Sequence, residues 1–243
     1  MIEKEIEIPT ADGTADGLFY KPEPGGTWPG VLFLTDVGGI RSSQRAMAAR
    51  VCSESYAVLL PNIFYRSGKP PLYEPGLKFG DPSFMKRMGE LSSALTPEAV
   101  ERDGSSYVDF FAQQEGVKKG AFAAVGLCFA GAMAMRFAAA RPDGIALAAS
   151  FHGGRLVTDA PSSPHLLLPR IKARLYFGHA TRDNSMPAEA IEKLNRALES
   201  WGGKYESEVY DGAVHGWTVP DSPVYNAMQA ERAFAKLKLL LAE

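Results

Sequence analysis

Short apolar runs recur along the chain without polar alternation, helical stretches lie between them, and glycine- or proline-rich turns punctuate the joins. Together these features predict an α/β fold, with a mostly parallel central sheet and helices covering both faces. The chain has 243 residues, of which 46% are hydrophobic and 22% charged, with a formal charge of −2. That is enough apolar material to offset chain entropy, which excludes a disordered protein. Open α/β sheets of this length fold as one unit, so a single domain over residues 1–243 is expected.

Taken in order, residues 3–9 alternate charged and apolar side chains, Ala11-Asp12-Gly13 supplies a turn, and residues 17–20 resume an extended pattern. This reads as an antiparallel pair. Gly30–Leu34 (GVLFL) is apolar throughout, as a strand covered on both sides must be. A glycine-rich loop follows it, then a helix at 42–54 and a second buried strand at 56–60, stopped by Pro61 and Asn62. Residues 67–96 hold Pro70, Pro71, Pro75 and Pro82, and a loop this long inside a domain is expected to cover a substrate site. A helix at 97–114 leads to a strand at 122–125. Residues 129–140 form a helix of small residues that ends before Arg141-Pro142. Further strands are expected at Ile145–Phe151, 173–177 and 205–210, with helices at 187–200 and 225–242.

The sharpest chemical signal is Ala124-Val125-Gly126-Leu127-Cys128-Phe129-Ala130-Gly131, where a reactive side chain stands at an abrupt strand-to-helix turn. Such a turn strains the central residue and requires small neighbours two positions away, here Gly126 and Ala130. The following helix directs its first amides and its dipole at the sulfur, favouring thiolate, and the Phe129 N–H is placed to stabilise an oxyanion. A buried cysteine acting as a small hydrophobe would fit the motif alone equally well. Asp183, in GHATRDNSMP, and His215, in YDGAVHGW, each follow a predicted strand. Singly, Asp183 reads as a helix N-cap and His215 as a loop residue. Jointly, Cys128, Asp183 and His215 appear in the chain order of nucleophile, acid and base, all at carboxyl ends of strands where open α/β sheets bind ligands.

With its GxC elbow, the Asp183 segment and the Gly212-Ala213-Val214-His215-Gly216 loop, the chain resembles the dienelactone hydrolase family of α/β-hydrolases. The likeness extends to FLTDVGGIR, PNIFYRSG and SFHGGRL. It implies a Cys128, His215 and Asp183 triad and an oxyanion hole from the Val37 and Phe129 amides. It also implies that Asp36 lies close enough to modulate the thiol, although a loop-capping role for this short carboxylate is equally compatible. The implied reaction opens a small lactone or cleaves a small carboxylic ester, of the dienelactone-to-maleylacetate type. Two alternatives are a broad esterase or thioesterase and a non-catalytic thiol redox sensor. Family members carry an arginine four residues after the catalytic histidine, whereas Val219 stands here. Candidate replacements as substrate-binding cations are Arg66, Lys86, Arg87 and Arg155. Phe151, His152, Trp217 and Phe129 are candidate pocket walls, and His179 also falls at a strand end.

Other function classes find no support in the sequence. The isoelectric point near 6.1 gives no positive field for nucleic acid. The four histidines show no zinc-type spacing, so neither a metal nor another cofactor is expected. Cys52 and Cys128 are expected to be reduced thiols in a cytoplasmic protein. The opening MIEKEIEIPTADG lacks the apolar stretch of a signal peptide, and no membrane partner is expected. The expected partner is a small-molecule lactone or ester, bound by a monomer or homodimer.

Overall fold

A strand reads as unbroken apolar sequence when neither of its faces meets water, and the computed structural model shows why that holds here. It describes residues 1–74, 76–77 and 80–243. The strands are β1 (Ile2–Thr10), β2 (Gly13–Lys21), β3 (Gly30–Leu34), β4 (Ala57–Pro61), β5 (Phe122–Leu127), β6 (Ile145–Phe151), β7 (Arg174–Arg182) and β8 (Tyr205–Val214). They make one eight-stranded sheet in the order 1-2-4-3-5-6-7-8. β1 pairs antiparallel with β2, and β2 with β4; every other pairing is parallel.

The helices are α1 (Ser42–Ser53), α2 (Pro82–Ser93), α3 (Pro97–Ala112), α4 (Ala130–Ala140), α5 (Ala188–Trp201) and α6 (Ala227–Ala242). Side-chain alternation along the strands sorts the core into two layers. Leu32, Leu34, Ala124, Leu175 and Phe177 pack with α3, α4 and α5 on one face. Val31, Phe33, Val125, Leu127, Phe151 and Tyr176 pack with α1 and α6 on the other. Leu194 and Leu198 of α5 are fully buried, and each contributes roughly 1.5–3 kcal/mol of hydrophobic stabilisation. α3 and α4 pack closely: a Cβ on Gly104 of α3 would sit 2.3 Å from the Phe137 ring of α4.

Local signals set the helix ends. The Thr96 hydroxyl accepts the Ala99 amide, Pro97 occupies the first turn of α3, and Gly202 closes α5 at φ 72°. One expectation needs correction. The segment 67–96 is not all loop, because residues 82–93 of it are α2, with Phe84 and Leu91 on the buried side. Pro82 sits at the helix start, where its missing N–H costs no hydrogen bond, so the proline that looked like a breaker is an initiator. Residues 75, 78 and 79 of this segment lie outside the described residues.

The edge strand β1 exposes Glu3, Glu5 and Glu7, and at the far edge Glu206 and Glu208 of β8 pair with Arg174, Lys236 and Arg232. Among the described residues no helix is long and apolar enough to cross a membrane.

Arg66 is part of the framework and does not face a substrate. Its guanidinium bonds Asp103 at 2.7 Å and Asp12 at 2.6 Å, and Asp103, which is 1% exposed, also accepts the Tyr65 hydroxyl. A buried carboxylate needs such partners, and removing it strands the cation. Asp103→Ala should therefore lower unfolding stability by about 3 kcal/mol in a urea titration. An unchanged midpoint would show that Asp12 alone satisfies Arg66.

Candidate active site

The chain runs from β3 to β4 on one side of β3 and later returns to β5 on the other, so loops at the carboxyl ends of β3 and β5 diverge and leave a crevice. Cys128 stands at the lip of that crevice. Its φ of 57° lies in the left-handed region, which turns the chain from β5 into α4 within a few residues. The turn depends on absent side chains. A Cβ on Gly126 would lie 2.0 Å from the Ala130 carbonyl oxygen, and one on Gly131 2.1 Å from Ser150 Oγ.

β7 and β8 run longer than their apolar cores suggest, and their extended ends deliver the partners. Asp183 follows β7 directly and His215 follows β8, with the His215 amide bonded to the Arg182 carbonyl at 3.2 Å. The side chains form a continuous line: Asp183 Oδ2 to His215 Nδ1 is 2.6 Å, and His215 Nε2 to Cys128 Sγ is 3.0 Å. Ser185 completes the acid end, donating both its hydroxyl (2.6 Å) and its amide (2.8 Å) to Asp183 Oδ1. Burial alone would raise the Asp183 pKa, yet His215 and Ser185 more than offset it and hold the carboxylate below its usual range. For His215, burial works to lower the pKa, but Asp183 and the sulfur outweigh it and push it up to about 10.

A cavity of about 270 Å³ opens onto these groups, lined by Cys128, Phe129, Met133, Arg155, Ser185 and His215. Phe129 caps α4, where the first amides have no intrahelical acceptor. Val37 lies in the loop after β3, the strand paired with β5. Its carbonyl accepts the Tyr73 hydroxyl at 2.9 Å, so Tyr73 braces that loop. Arg155, at φ 54°, lines the cavity with no side-chain ion pair or hydrogen bond among the described residues, while its amide bonds the Ser185 carbonyl at 2.9 Å.

Several expected contacts are redirected. Asp36 is clamped by Arg41 at 2.6 and 2.9 Å and accepts the Gly38 amide at 2.9 Å, while Arg41 reaches on to Asp221. Its carboxylate therefore organises the loop, and the sulfur has His215 as its hydrogen-bond partner. Arg87 bonds the Leu72 and Ser67 carbonyls and Glu90, pinning the cover segment and not facing the cavity. Phe151 points to the opposite face of the sheet, against Tyr176 and a separate apolar cavity between α1 and α6. Trp217 and Val219 are buried on that same face, with Trp217 against Tyr210 at 4.8 Å. His152 is fully buried behind Cys128. His179 is 2% exposed and stacks on Phe177, and neither ring nitrogen has a partner among the described residues. Ser185, Tyr73 and Thr218 are contacts that the sequence does not single out; a serine two residues after Asp183 is the signal it offers for the first of them.

An eight-stranded, mostly parallel sheet with an elbow at the end of a central strand is the architecture of an α/β-hydrolase. Residues 15–243 match the dienelactone hydrolase family, and the chain belongs to it. A carboxymethylenebutenolidase of Rhodococcus opacus is 28% identical over 198 residues, covering 79% of this chain and 73% of the relative. A protein of Synechocystis sp., provisionally given the same name, is 25% identical and covers 97% of this chain and 94% of its own. Among solved structures, a Klebsiella pneumoniae protein provisionally named a dienelactone hydrolase superposes with a TM-score of 0.88 at 21% identity, over 100% of this chain and 98% of that one.

The buried rings give a pH prediction. Burial lowers the His179 pKa from 6.5 to about 4, so between those values the unfolded chain binds a proton that the native ring refuses. Stability should fall as pH drops through that window, by at most about 1.4 kcal/mol per pH unit for one proton. His179→Phe should flatten the slope in thermal melts at stepped pH, and parallel curves for the two proteins would count against this account.

Proposed function

We propose that this chain hydrolyses small lactones or carboxylic esters through Cys128, His215 and Asp183, without a cofactor. The observation that carries the reading is the unbroken line from Asp183 through His215 to Cys128 at 2.6 and 3.0 Å, ending in a cavity large enough for a small ligand.

The Cys128 thiolate, paired with the His215 imidazolium, attacks the substrate carbonyl carbon. The resulting oxyanion is stabilised by the amides of Phe129 and Val37. Collapse of the tetrahedral intermediate breaks the carbon–oxygen bond, and His215 gives its proton to the departing alkoxide. In a lactone that alkoxide remains tethered to the acyl group. With the sulfur now a neutral thioester, its share of the upward pull on His215 is gone and the imidazole is free to act as a base. It takes a proton from water, the hydroxide adds to the thioester, and the carboxylic acid leaves as the thiolate and imidazolium are restored. Asp183 holds the ring in the tautomer this requires, and Ser185 holds Asp183.

Arg66 and Arg87 are committed elsewhere, and of the two arginines that line the cavity Arg136 is bonded to Glu101 and the Ser162 carbonyl, which leaves Arg155 as the lining cation with no side-chain partner among the described residues. A substrate carboxylate would find its partner there. A pocket serving uncharged esters is the second reading, favoured by the burial of Val219 away from the cavity.

Cys128→Ala should abolish turnover of both dienelactone and a short-chain nitrophenyl ester while circular dichroism stays unchanged, and retained turnover would sink the proposal. His215→Ala should lose at least about 1,000-fold in kcat, and Asp183→Ala somewhat less because it orients the proton carrier and does not transfer the proton itself. Arg155→Ala should raise KM about tenfold for a carboxylate-bearing lactone and leave the neutral ester unaffected. Equal effects on the two would favour the uncharged pocket.

A further inference from the structure

Behind the nucleophile lies a histidine that the mechanism does not use. His152 is the residue after β6, fully buried, and held at φ 43°, a conformation side chains other than glycine seldom adopt. Its backbone amide is fixed by the Gly178 carbonyl at 2.8 Å. Each ring nitrogen then meets a different part of the active site. Nδ1 lies 3.0 Å from the backbone nitrogen of Cys128, and Nε2 lies 2.7 Å from Thr218 Oγ1.

The chemistry of those partners sets the tautomer. A backbone N–H can only donate, so Nδ1 is bare and accepts, and Nε2 carries the hydrogen and donates to the Thr218 hydroxyl. The Cys128 N–H is shared with the Phe151 carbonyl at 3.1 Å, so the elbow amide is restrained from two directions. Thr218 lies three residues after His215 in the same loop. Trp217 and His215 set their rings edge to face against His152 at 5.1 and 5.3 Å. Burial keeps the ring neutral by lowering its pKa well below the usual value.

We propose that His152 is a positioning residue: a buried, neutral imidazole that ties the backbone of the nucleophile to the loop carrying the base and so fixes the separation of Cys128 Sγ and His215 Nε2. The elbow restrains Cys128 from its own side, and the end of β8 with Asp183 restrains His215 from the other. Among the described side chains, His152 hydrogen-bonds to Cys128 and also to the loop that bears His215. This inference rests on the proposed thiol-and-imidazole pair, but it concerns the geometry of that pair and not the substrate.

The test compares His152→Phe, which keeps the ring and removes both bonds, with His152→Asn, whose amide oxygen can stand where Nδ1 stands, and Thr218→Val, which removes only the far anchor. Two readouts are taken: kcat and KM on a nitrophenyl ester, and the pH profile of Cys128 alkylation by iodoacetamide, located by peptide mapping. His152→Phe should lower kcat by about 10- to 100-fold with KM within about twofold, as small misplacements of reacting groups do. Its alkylation rate near pH 6 should fall about tenfold as the ion pair loosens. Thr218→Val should fall between, and His152→Asn should recover most of the loss. A folded His152→Phe with parental kcat and a parental alkylation profile overturns the proposal, and so does a Thr218→Val unchanged in both if the His152 variants fail to fold. General loosening of the fold would instead raise alkylation at every pH, which also counts against it. Ester turnover that survives Cys128→Ala would remove the hydrolase reading while leaving the alkylation profiles to decide on His152.

Discussion

The site depends on one backbone constraint. A side chain at the tip of a strand reaches a cavity on the sheet edge only if the chain reverses almost at once, and Cys128 at φ 57° makes that reversal. The cost of the strained residue is met by its surroundings. Gly126 and Gly131 let β5, α4 and β6 close to distances that no Cβ would permit, and the parallel pairing of β5 with β3 and β6 holds the strand end still. Small residues in this stretch are therefore the space that the turn occupies.

Around that turn, the fold keeps the positioning of groups separate from their chemistry. Asp183 and His215 gain their precision from β7 and β8, which stay paired up to the residues just before them. The loop after β3 is stiffened by Asp36, Arg41 and Asp221, and from the other side by Tyr73 of the cover segment. Charged side chains that sequence alone would assign to substrate are spent on holding loops. Among the described residues, the lining arginine Arg155 has no side-chain partner, and its amide is bonded to the carbonyl of Ser185, which in turn bonds Asp183.

Much of this was legible in the sequence. The strands β3 and β6 were readable to the residue because burial on both faces leaves no polar alternation to blur their limits. That Cys128, Asp183 and His215 come together was legible because each sits at a strand end on the same edge of the sheet. Helix α2 was hidden by Pro82, whose meaning depends on whether it begins a helix or interrupts one. Phe151 was misplaced for a reason of parity: one residue along a strand changes the face, and only the register with β5 and β7 shows which face holds the cavity. Arg66 and Arg87 could not be placed because a long cation takes the carboxylate or carbonyl that tertiary folding brings to it, and Asp103 is 37 residues away. The pairing of His152 with the Cys128 amide was out of reach for the same reason.

The sheet has two outer strands whose outward backbone groups could template a further strand from another molecule. Along β1, Glu5 and Glu7 are exposed and Glu3 is paired with Arg45, so a second copy of β1 laid against it with these side chains on one face would set carboxylate against carboxylate. At the other margin the carboxylates of β8 are bound up with Arg174, Lys236 and Arg232, which stand over the strand. The sheet that brings Cys128, Asp183 and His215 together is thus bordered on both sides by charge, which disfavours the addition of a strand from another copy.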